Sequence, residues 1–370
     1  METISAIYHI DTDADAIESR ALGVALEQTV ELPPGVVQDP FVLENVLGRV
    51  QEIIPQEQGF RVVVEYPVGA SGLDPAQLLN VLFGNTSLQP DVMLLDATFP
   101  PSLTARFPGP RFGIPGLRER LQVQDRPLTC TALKPMGASP EELARLCRLF
   151  ARGGIDIIKD DHGLADQEFA PFEERVRACQ AAVEEVAQET GRRVIYAPNI
   201  MGAPGAMRRQ LELAQELGVQ AVMMEPMLTG FPGFYELVTE LLEVPVLAHP
   251  TLSGAVRMAP PLLLGKLCRL YGADGVIYPH FGGRFAYSQE TCQALARNLR
   301  QPWGRFPGAF PIPAGGMQVE RVDELVRFYG PDTILLIGGS LYRAGSQLRE
   351  RSQEFVRRVQ QAASQATSRG

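Results

Sequence analysis

The sequence predicts an α/β protein in which a C-terminal (β/α)8 TIM barrel follows an N-terminal α+β domain of ferredoxin-like type. From residue 128 onward, short apolar runs of strand type alternate with amphipathic helical stretches at intervals of roughly 25 to 30 residues, as βα units require. Residues 1–112 read instead as strand, helix, two strands, helix, strand. A chain of 370 residues, 45% apolar and 21% charged, has core enough for a barrel and a second domain.

The N-terminal elements are a strand at 3–10, a helix at 14–28, strands at 45–54 and 60–67, a helix at 74–83 and a strand at 91–97. The Pro/Gly-rich stretch at 100–117 marks a boundary, giving domains 1–112 and 113–370. The eight barrel strands fall at 128–134, 155–159, 193–199, 220–226, 244–249, 274–279, 310–316 and 332–338. Their continuous apolar character fits a parallel sheet covered on both faces.

Helix signals lie between them. Ser139-Pro140-Glu141-Glu142 reads as a capping box, Leu143, Leu146 and Phe150 share one face, and Gly153-Gly154 closes the helix. Met207, Leu211, Ala214 and Leu217 repeat the pattern before Gly218. The polar stretch 360–370, QQAASQATSRG, is expected to fray.

Composition excludes several classes. A net charge of -9 without a Lys/Arg-rich stripe argues against nucleic acid and anionic membrane as partners and for a small molecule. Five scattered cysteines (Cys130, Cys147, Cys179, Cys268, Cys292), with no CxxC pair, indicate a reducing compartment. The N-terminus turns acidic where a secretory signal would be basic and apolar, and no apolar run approaches ~20 residues, so a cytoplasmic location is expected. Of 34 cationic residues only Lys134, Lys159 and Lys266 are lysine. Two of these sit in apolar strand-type segments, where an amine can change protonation and a guanidinium cannot.

In a barrel, polar residues at strand ends share one mouth. Lys134 ends the first strand; Lys159, Asp160, Asp161 and His162 the second; Asn199 the third; Glu225 the fourth; His249 the fifth; His280 and Arg284 follow the sixth. Burial would lower the pKa of Lys159, and a neutral amine can add CO2. The carbamate, with Asp161 and His162, would make a three-ligand site for a hard divalent cation. The same KDDH run also reads as a solvated, salt-bridged loop. Gly315-Gly316 after strand seven and Gly338-Gly339 after strand eight stand where barrels bind phosphate, or else make simple tight turns. Met223, Met224, Met227 and Trp303 read as packing residues.

The run Gly153 to Asp161 (GGIDIIKDD) resembles the carbamylated-lysine signature of the RuBisCO large subunit, and Thr131-Ala132-Leu133-Lys134-Pro135 resembles its first-strand active-site lysine segment. Leu82-Phe83-Gly84-Asn85, Pro108-Gly109-Pro110, Pro313-Ala314-Gly315-Gly316 and Ile337-Gly338-Gly339 extend the resemblance, in order, over nearly the whole chain. It implies a homodimer whose active site is shared between subunits, with Glu27 and Asn85 lent by the partner. It also implies Lys159 as N6-carboxylysine, holding Mg2+ with Asp161 and His162, and Lys134 as an acid/base or electrostatic group. Imidazole among the ligands shifts preference toward Mn2+ or Co2+, while Mg2+ stays first by resemblance.

Departures from the carboxylase pattern redirect the function. Arg284 stands where the family has a lysine on a mobile loop, His162 replaces a glutamate ligand, and Met136 replaces a second lysine. Thr251, Ile277 and Ala314 erode the second phosphate site, leaving Gly316, Gly338 and Gly339 for one phosphate. The pattern resembles the non-carbon-fixing form IV group. KDDHGLADQ with LFGNTSL resembles its 5-methylthioribulose-1-phosphate isomerase branch. This implies an isomerase that removes a proton α to a carbonyl, with the Lys159 carbamate or Lys134 as base. Kept beside it are 2,3-diketo-5-methylthiopentyl-1-phosphate enolase, whose lysine base falls where this chain has Asn85, and 3-oxo-isoapionate-4-phosphate decarboxylase or transcarboxylase. A barrel that only binds sugar phosphate is the fourth reading.

Overall fold

A computed structural model describes residues 2–285 and 287–367. The chain divides into two compact units, Met1–Pro108 with Leu252–Leu263, and Gly109–Thr251 with Leu264–Gly370.

The first unit runs β1 (Thr3–Ile10), α1 (Ile17–Glu27), α2 (Pro40–Asn45), β2 (Arg49–Pro55), β3 (Phe60–Pro67), α3 (Pro75–Phe83), β4 (Val92–Thr98) and the single turn α4 (Pro101–Thr104). Its antiparallel sheet has the order β2-β3-β1-β4, the ferredoxin-like order. In β1 the period-2 alternation buries Ile4, Ala6, Tyr8 and Ile10 on one face. Tyr8 uses its hydroxyl there, 2.9 Å from that of Tyr66 and donating to Leu82 O at 2.7 Å.

Two expectations change. The strand expected from residue 45 begins at Arg49, because Asp39 caps the helix α2 by accepting from Phe41 N and Val42 N, with Pro40 at its first position. Residues Leu252–Leu263, counted with the barrel from the sequence, join the first unit. They lie along β4: Leu94 N donates to Arg257 O (3.0 Å) and Ala259 N to Leu94 O (2.9 Å).

The second unit opens with α5 (Gly113–Leu121) and runs β5 (Leu128–Ala132), α6 (Pro140–Arg152), β6 (Ile157–Lys159), α7 (Phe172–Thr190), β7 (Ile195–Ala197), α8 (Pro204–Glu216) and β8 (Val222–Met224). After α9 (Pro226–Thr229) and α10 (Phe231–Glu240) come β9 (Val246–Ala248), α11 (Cys268–Leu270), β10 (Gly275–Pro279), α12 (Gln289–Arg300), β11 (Phe310–Ala314) and α13 (Val322–Tyr329). The last elements are β12 (Ile334–Leu336), α14 (Gly339–Tyr342) and α15 (Leu348–Thr367).

Its strands are parallel in two runs, β12-β5-β6-β7 and β8-β9-β10-β11. The Asn199–Met223 bridge joins the runs on one side, and β11 lies beside β12 on the other. The barrel is therefore cyclic in chain order, and all eight strand ends that follow in sequence face one mouth. Leu128, Cys130, Ile157, Ile195, Met223, Leu247, Ile277, Phe310, Ile312 and Ile334 fill its interior. All five cysteines are free and buried.

Buried carboxylates anchor the opposite end. Asp156 takes the Arg126 fork (2.7 and 2.8 Å) and Thr129 N (2.8 Å). Asp274 accepts from Phe112 N, Gly113 N and Val246 N at 2.7, 2.6 and 2.9 Å. Ser139 Oγ caps α6 by accepting from Glu142 N, but the second half of the expected capping box is redirected, since Glu142 takes Arg145 with both oxygens. The fraying expected at 360–370 is also overturned as far as the structure is described. Helix α15 continues to Thr367 because Ala362 and Ala363 are buried on its inner face; residues 368–370 lie outside the described residues.

Candidate active site

The apolar strand β6 ends in Lys159, which is 2% exposed and donates from Nζ to Asp160 O at 2.8 Å. Burial holds its ammonium below the ordinary range, with the Asp161 carboxylate offsetting part of that.

The next two residues part company. Asp160 is fully buried, accepting from Arg175 Nε (3.0 Å), Tyr196 OH (2.8 Å) and Asn199 N (3.1 Å). It is an anchor of the wall, a correction to its reading as a residue of the mouth. Asp161 turns the other way and pairs with Lys134 Nζ, with His162 Nδ1 at 3.5 Å from the same oxygen. Burial pushes the Asp161 carboxyl up, but His162 and Lys134 together hold it well below the usual carboxylate range.

His162 stacks on His249, ring centroids 4.7 Å apart and planes 9° from parallel. Burial first, then the neighbouring Lys159 and His162, push His249 down to about 2, so its imidazole is neutral. Its Nδ1 lies 2.6 Å from Thr251 Oγ1 and accepts from Thr251 N at 3.3 Å. A backbone amide can only donate, so Nδ1 is the acceptor and Nε2 carries the ring proton. Thr251, which replaces an expected phosphate-site arginine, thus fixes a tautomer.

Behind Lys159 sits Glu225, 1% exposed, its carboxyl pushed up to about 8 by burial against the pull of Lys159. Its Oε1, Asn199 Oδ1 and Thr131 Oγ1 are buried without a hydrogen-bond partner. Such orphans are costly and mark a place built for a further polar group.

Lys134 follows β5. Its amide donates to Tyr342 OH (2.8 Å), whose hydroxyl donates in turn to Ala132 O (3.0 Å). Sequence reasoning missed Tyr342, although it stands three residues beyond the Gly338-Gly339 pair. Gly338 comes beside Lys134, since a Cβ there would stand 4.0 Å from Lys134 Cε, while a Cβ on Gly339 would meet open space. The helix that starts within this pair is a single turn, Gly339–Tyr342, and carries little macrodipole.

Across the mouth, Gly315 (φ +89°) and Gly316 (φ +100°) make the turn after β11, in contact with the Arg284 loop after β10. His280, expected to join the other histidines, turns inward instead: it is 1% exposed, with Nδ1 3.1 Å from Tyr329 OH. In the first unit Glu27 and Asn85 come together, Asn85 Nδ2 donating to Glu27 Oε1 (3.1 Å) and Glu31 Oε1 (3.3 Å) beside a groove of about 290 Å³.

Among the described residues no cluster of three His, Cys, Asp or Glu side chains could hold a metal. Asp161 and His162 supply two donors, and a third oxygen anion arises only if Lys159 is modified. With that modification the donor set fits a divalent cation.

A parallel barrel whose mouth gathers a lysine, a carboxylate and an imidazole beside two glycine turns has the architecture of the barrel enzymes. Residues 113–345 match the family described as ribulose bisphosphate carboxylase large chain, catalytic domain. The chain is 46% identical over 365 residues to the 5-methylthioribulose-1-phosphate isomerase of Rhodospirillum rubrum, covering 98% of both chains. It is 35% identical over 364 residues to the 2,3-diketo-5-methylthiopentyl-1-phosphate enolase of Geobacillus kaustophilus (92% of this chain, 88% of the relative). The crystal structure of a Rubisco-like protein from Rhodopseudomonas palustris superposes with a TM-score of 0.91 at 44% identity, covering 97% of this chain and 98% of that one. The chain belongs to the RuBisCO large-chain family, and its close relatives are RuBisCO-like proteins.

Proposed function

We propose that the protein is a proton-transfer isomerase of a ketose monophosphate, with 5-methylthioribulose 1-phosphate as substrate. The observation that carries this reading is the buried, acidified Lys159 beside ionised Asp161 and the His162–His249 stack. A barrel that merely held phosphate would need the glycine turns alone. The relative named as the isomerase is the more similar of the two named enzymes, at 46% against 35%. Against the enolase reading, Asn85 is an amide engaged by Glu27 and Glu31 and cannot serve as a base.

Lys159, as a carbamate, would hold Mg2+ with Asp161 and His162. A divalent cation there lowers the barrier to removing the proton α to the substrate carbonyl by stabilising the charge that develops. The protein residues do the rest. The Lys159 carbamate takes the proton, and Lys134, ion-paired with Asp161 and with its backbone clamped by Tyr342, supplies positive charge beside the substrate. Neutral His249 presents Nε2–H as a donor to a substrate oxygen. Gly315, Gly316, Gly338 and Gly339 offer amides to one phosphate. Glu27 and Asn85 serve the site of a partner subunit in a homodimer. No described helix is long and apolar enough to cross a membrane.

The test is NMR of the protein with Mg2+, bicarbonate and 5-methylthioribulose 1-phosphate in D2O. Carbonyl migration with deuterium incorporation is expected; exchange without migration would shift the reading to the enolase or decarboxylase chemistry. Lys159→Ala should lose at least ~10³-fold in turnover along with any response to bicarbonate, on the scale of a lost general base and charge-stabilising group. Full activity in that variant would overturn the carbamate assignment.

A further inference from the structure

At the end of the barrel where the strands begin, opposite the mouth, α5 and α7 border a pocket of about 560 Å³. That volume lies within the roughly 300–1,000 Å³ of small-molecule sites. Its floor is apolar, made by the Phe112 ring, Val183, Ala187 and Val194. On one side stand two guanidinium groups. Arg120 lies over the Phe112 ring, 4.9 Å from its centre, and donates to Gln220 Oε1 at 2.7 Å; Arg193 donates to Arg120 O at 3.3 Å. Among the described residues neither meets a carboxylate in an ion pair, so each keeps most of its N–H donors for another acceptor. On the other side the groups accept. Glu184 receives Gln180 Nε2 at 2.8 Å, and the Gln180 oxygen, on a residue 6% exposed, is buried without a hydrogen-bond partner. Glu119 adds a second carboxylate to the lining. Gln220 links the two sides: it accepts from Arg120 and donates from Nε2 to Gly218 O (2.9 Å), the carbonyl that Gln180 Nε2 also approaches at 3.4 Å.

We propose that this pocket binds a small zwitterion, an α-amino acid with an apolar side chain. Two arginines and two glutamates balance the lining, so a lone anion would face the carboxylates and a lone cation the guanidinium groups. A ligand that carries both charges a few atoms apart satisfies both sides. Its carboxylate takes the free N–H groups of Arg120 and Arg193. Its ammonium donates to Glu184 and supplies the donor that the Gln180 oxygen lacks. Its side chain lies on Val183, Ala187 and Val194. Every lining residue belongs to the second unit and none to the mouth, so the site is separate from the chemistry proposed for Lys159.

The experiment is calorimetry of the full chain with L-leucine, with leucinamide, which lacks the carboxylate, and with 4-methylpentanoate, which lacks the amine. Leucine is expected to bind, and each analogue to bind at least roughly tenfold more weakly, as for a lost charge-assisted hydrogen bond. Arg120→Gln and Glu184→Gln should each weaken leucine by a similar factor, while Asp161→Asn, at the mouth, should leave its affinity unchanged. Either analogue binding as well as leucine would overturn the proposal, and so would leucine binding that Arg120→Gln and Glu184→Gln leave untouched or that Asp161→Asn abolishes. The analogue series uses the unaltered chain and so decides even where a variant does not fold. A silent leucine titration is followed by a melting screen with the other apolar amino acids, and no stabilisation by any of them at roughly 10 mM overturns the zwitterion site.

Discussion

Replacing Asp160 by Ala should unfold the barrel far more readily than replacing its neighbour Asp161 by Asn. Asp160 and Arg175 are both fully buried, and the Asp160 carboxylate also receives Tyr196 OH and Asn199 N. Removing it leaves an uncompensated guanidinium in the interior, a loss of about 3–5 kcal/mol for a broken buried pair. Asp161 belongs to a partly exposed pair, with 39% of the Lys134 side chain open to solvent, so its contribution to folding is at most about 1 kcal/mol. At about 2 °C per kcal/mol for a unit of this size, Asp160→Ala should melt roughly 6–10 °C lower. Asp161→Asn should melt within about 2 °C of the unaltered chain while abolishing turnover. Differential scanning calorimetry with the D2O exchange assay reads both. Equal melting losses, or an active Asp161→Asn protein, would refute the division of labour between the adjacent aspartates.

Stability should respond to pH through Glu225 and His249 in opposite senses. Glu225, ordinarily near 4.5, is pushed up to about 8, so its stabilisation is full below 4.5 and is lost as pH rises to 8. His249, ordinarily near 6.5, is pushed down to about 2, so its stabilisation is full above 6.5 and is lost as pH falls. Between pH 4.5 and 6.5 the two slopes oppose. Glu225→Gln should therefore gain on the unaltered chain by roughly 1.4 kcal/mol per pH unit from pH 5 to 8 in urea titrations; parallel curves would refute it. Tyr342→Phe removes the acceptor of Lys134 N–H and the donor to Ala132 O. It should cost about 1–3 kcal/mol and lower turnover, while phosphate affinity measured by calorimetry stays unchanged. Unchanged turnover would show that Lys134 holds its position without the clamp.

Much of this was legible because apolar periodicity and strand-end polarity are local signals. The eight barrel strands, the βαββαβ order and the residues Lys134, Lys159, Asp161, His162 and His249 all stand in short, readable contexts. What escaped depends on distant partners. Tyr342 meets Lys134 across 208 residues, and Arg175 reaches Asp160 from the following helix. Helix α2 escaped because its signal is an Asp-Pro cap with little periodicity behind it.

The pair Asp160-Asp161 shows where local reading stops and how strand geometry resolves it. Successive side chains leaving β6 point to opposite sides, so Lys159 and Asp161 share the side that faces the mouth and Asp160 faces the helix layer. A charged residue on the helix side is tolerable only with a buried cation, which α7 supplies through Arg175. That anchor fixes the strand end, and the fixed strand end aims Lys159 and Asp161. The buried aspartate is thus a condition for the placement of the one at the mouth, and the Arg175→Met variant offers the complementary test. Leaving Asp160 unpaired, it should both destabilise the barrel by about 3–5 kcal/mol and, at temperatures where the protein stays folded, lower turnover by misplacing Lys159. Normal turnover in the folded variant would show that the mouth is held by the barrel ladder alone.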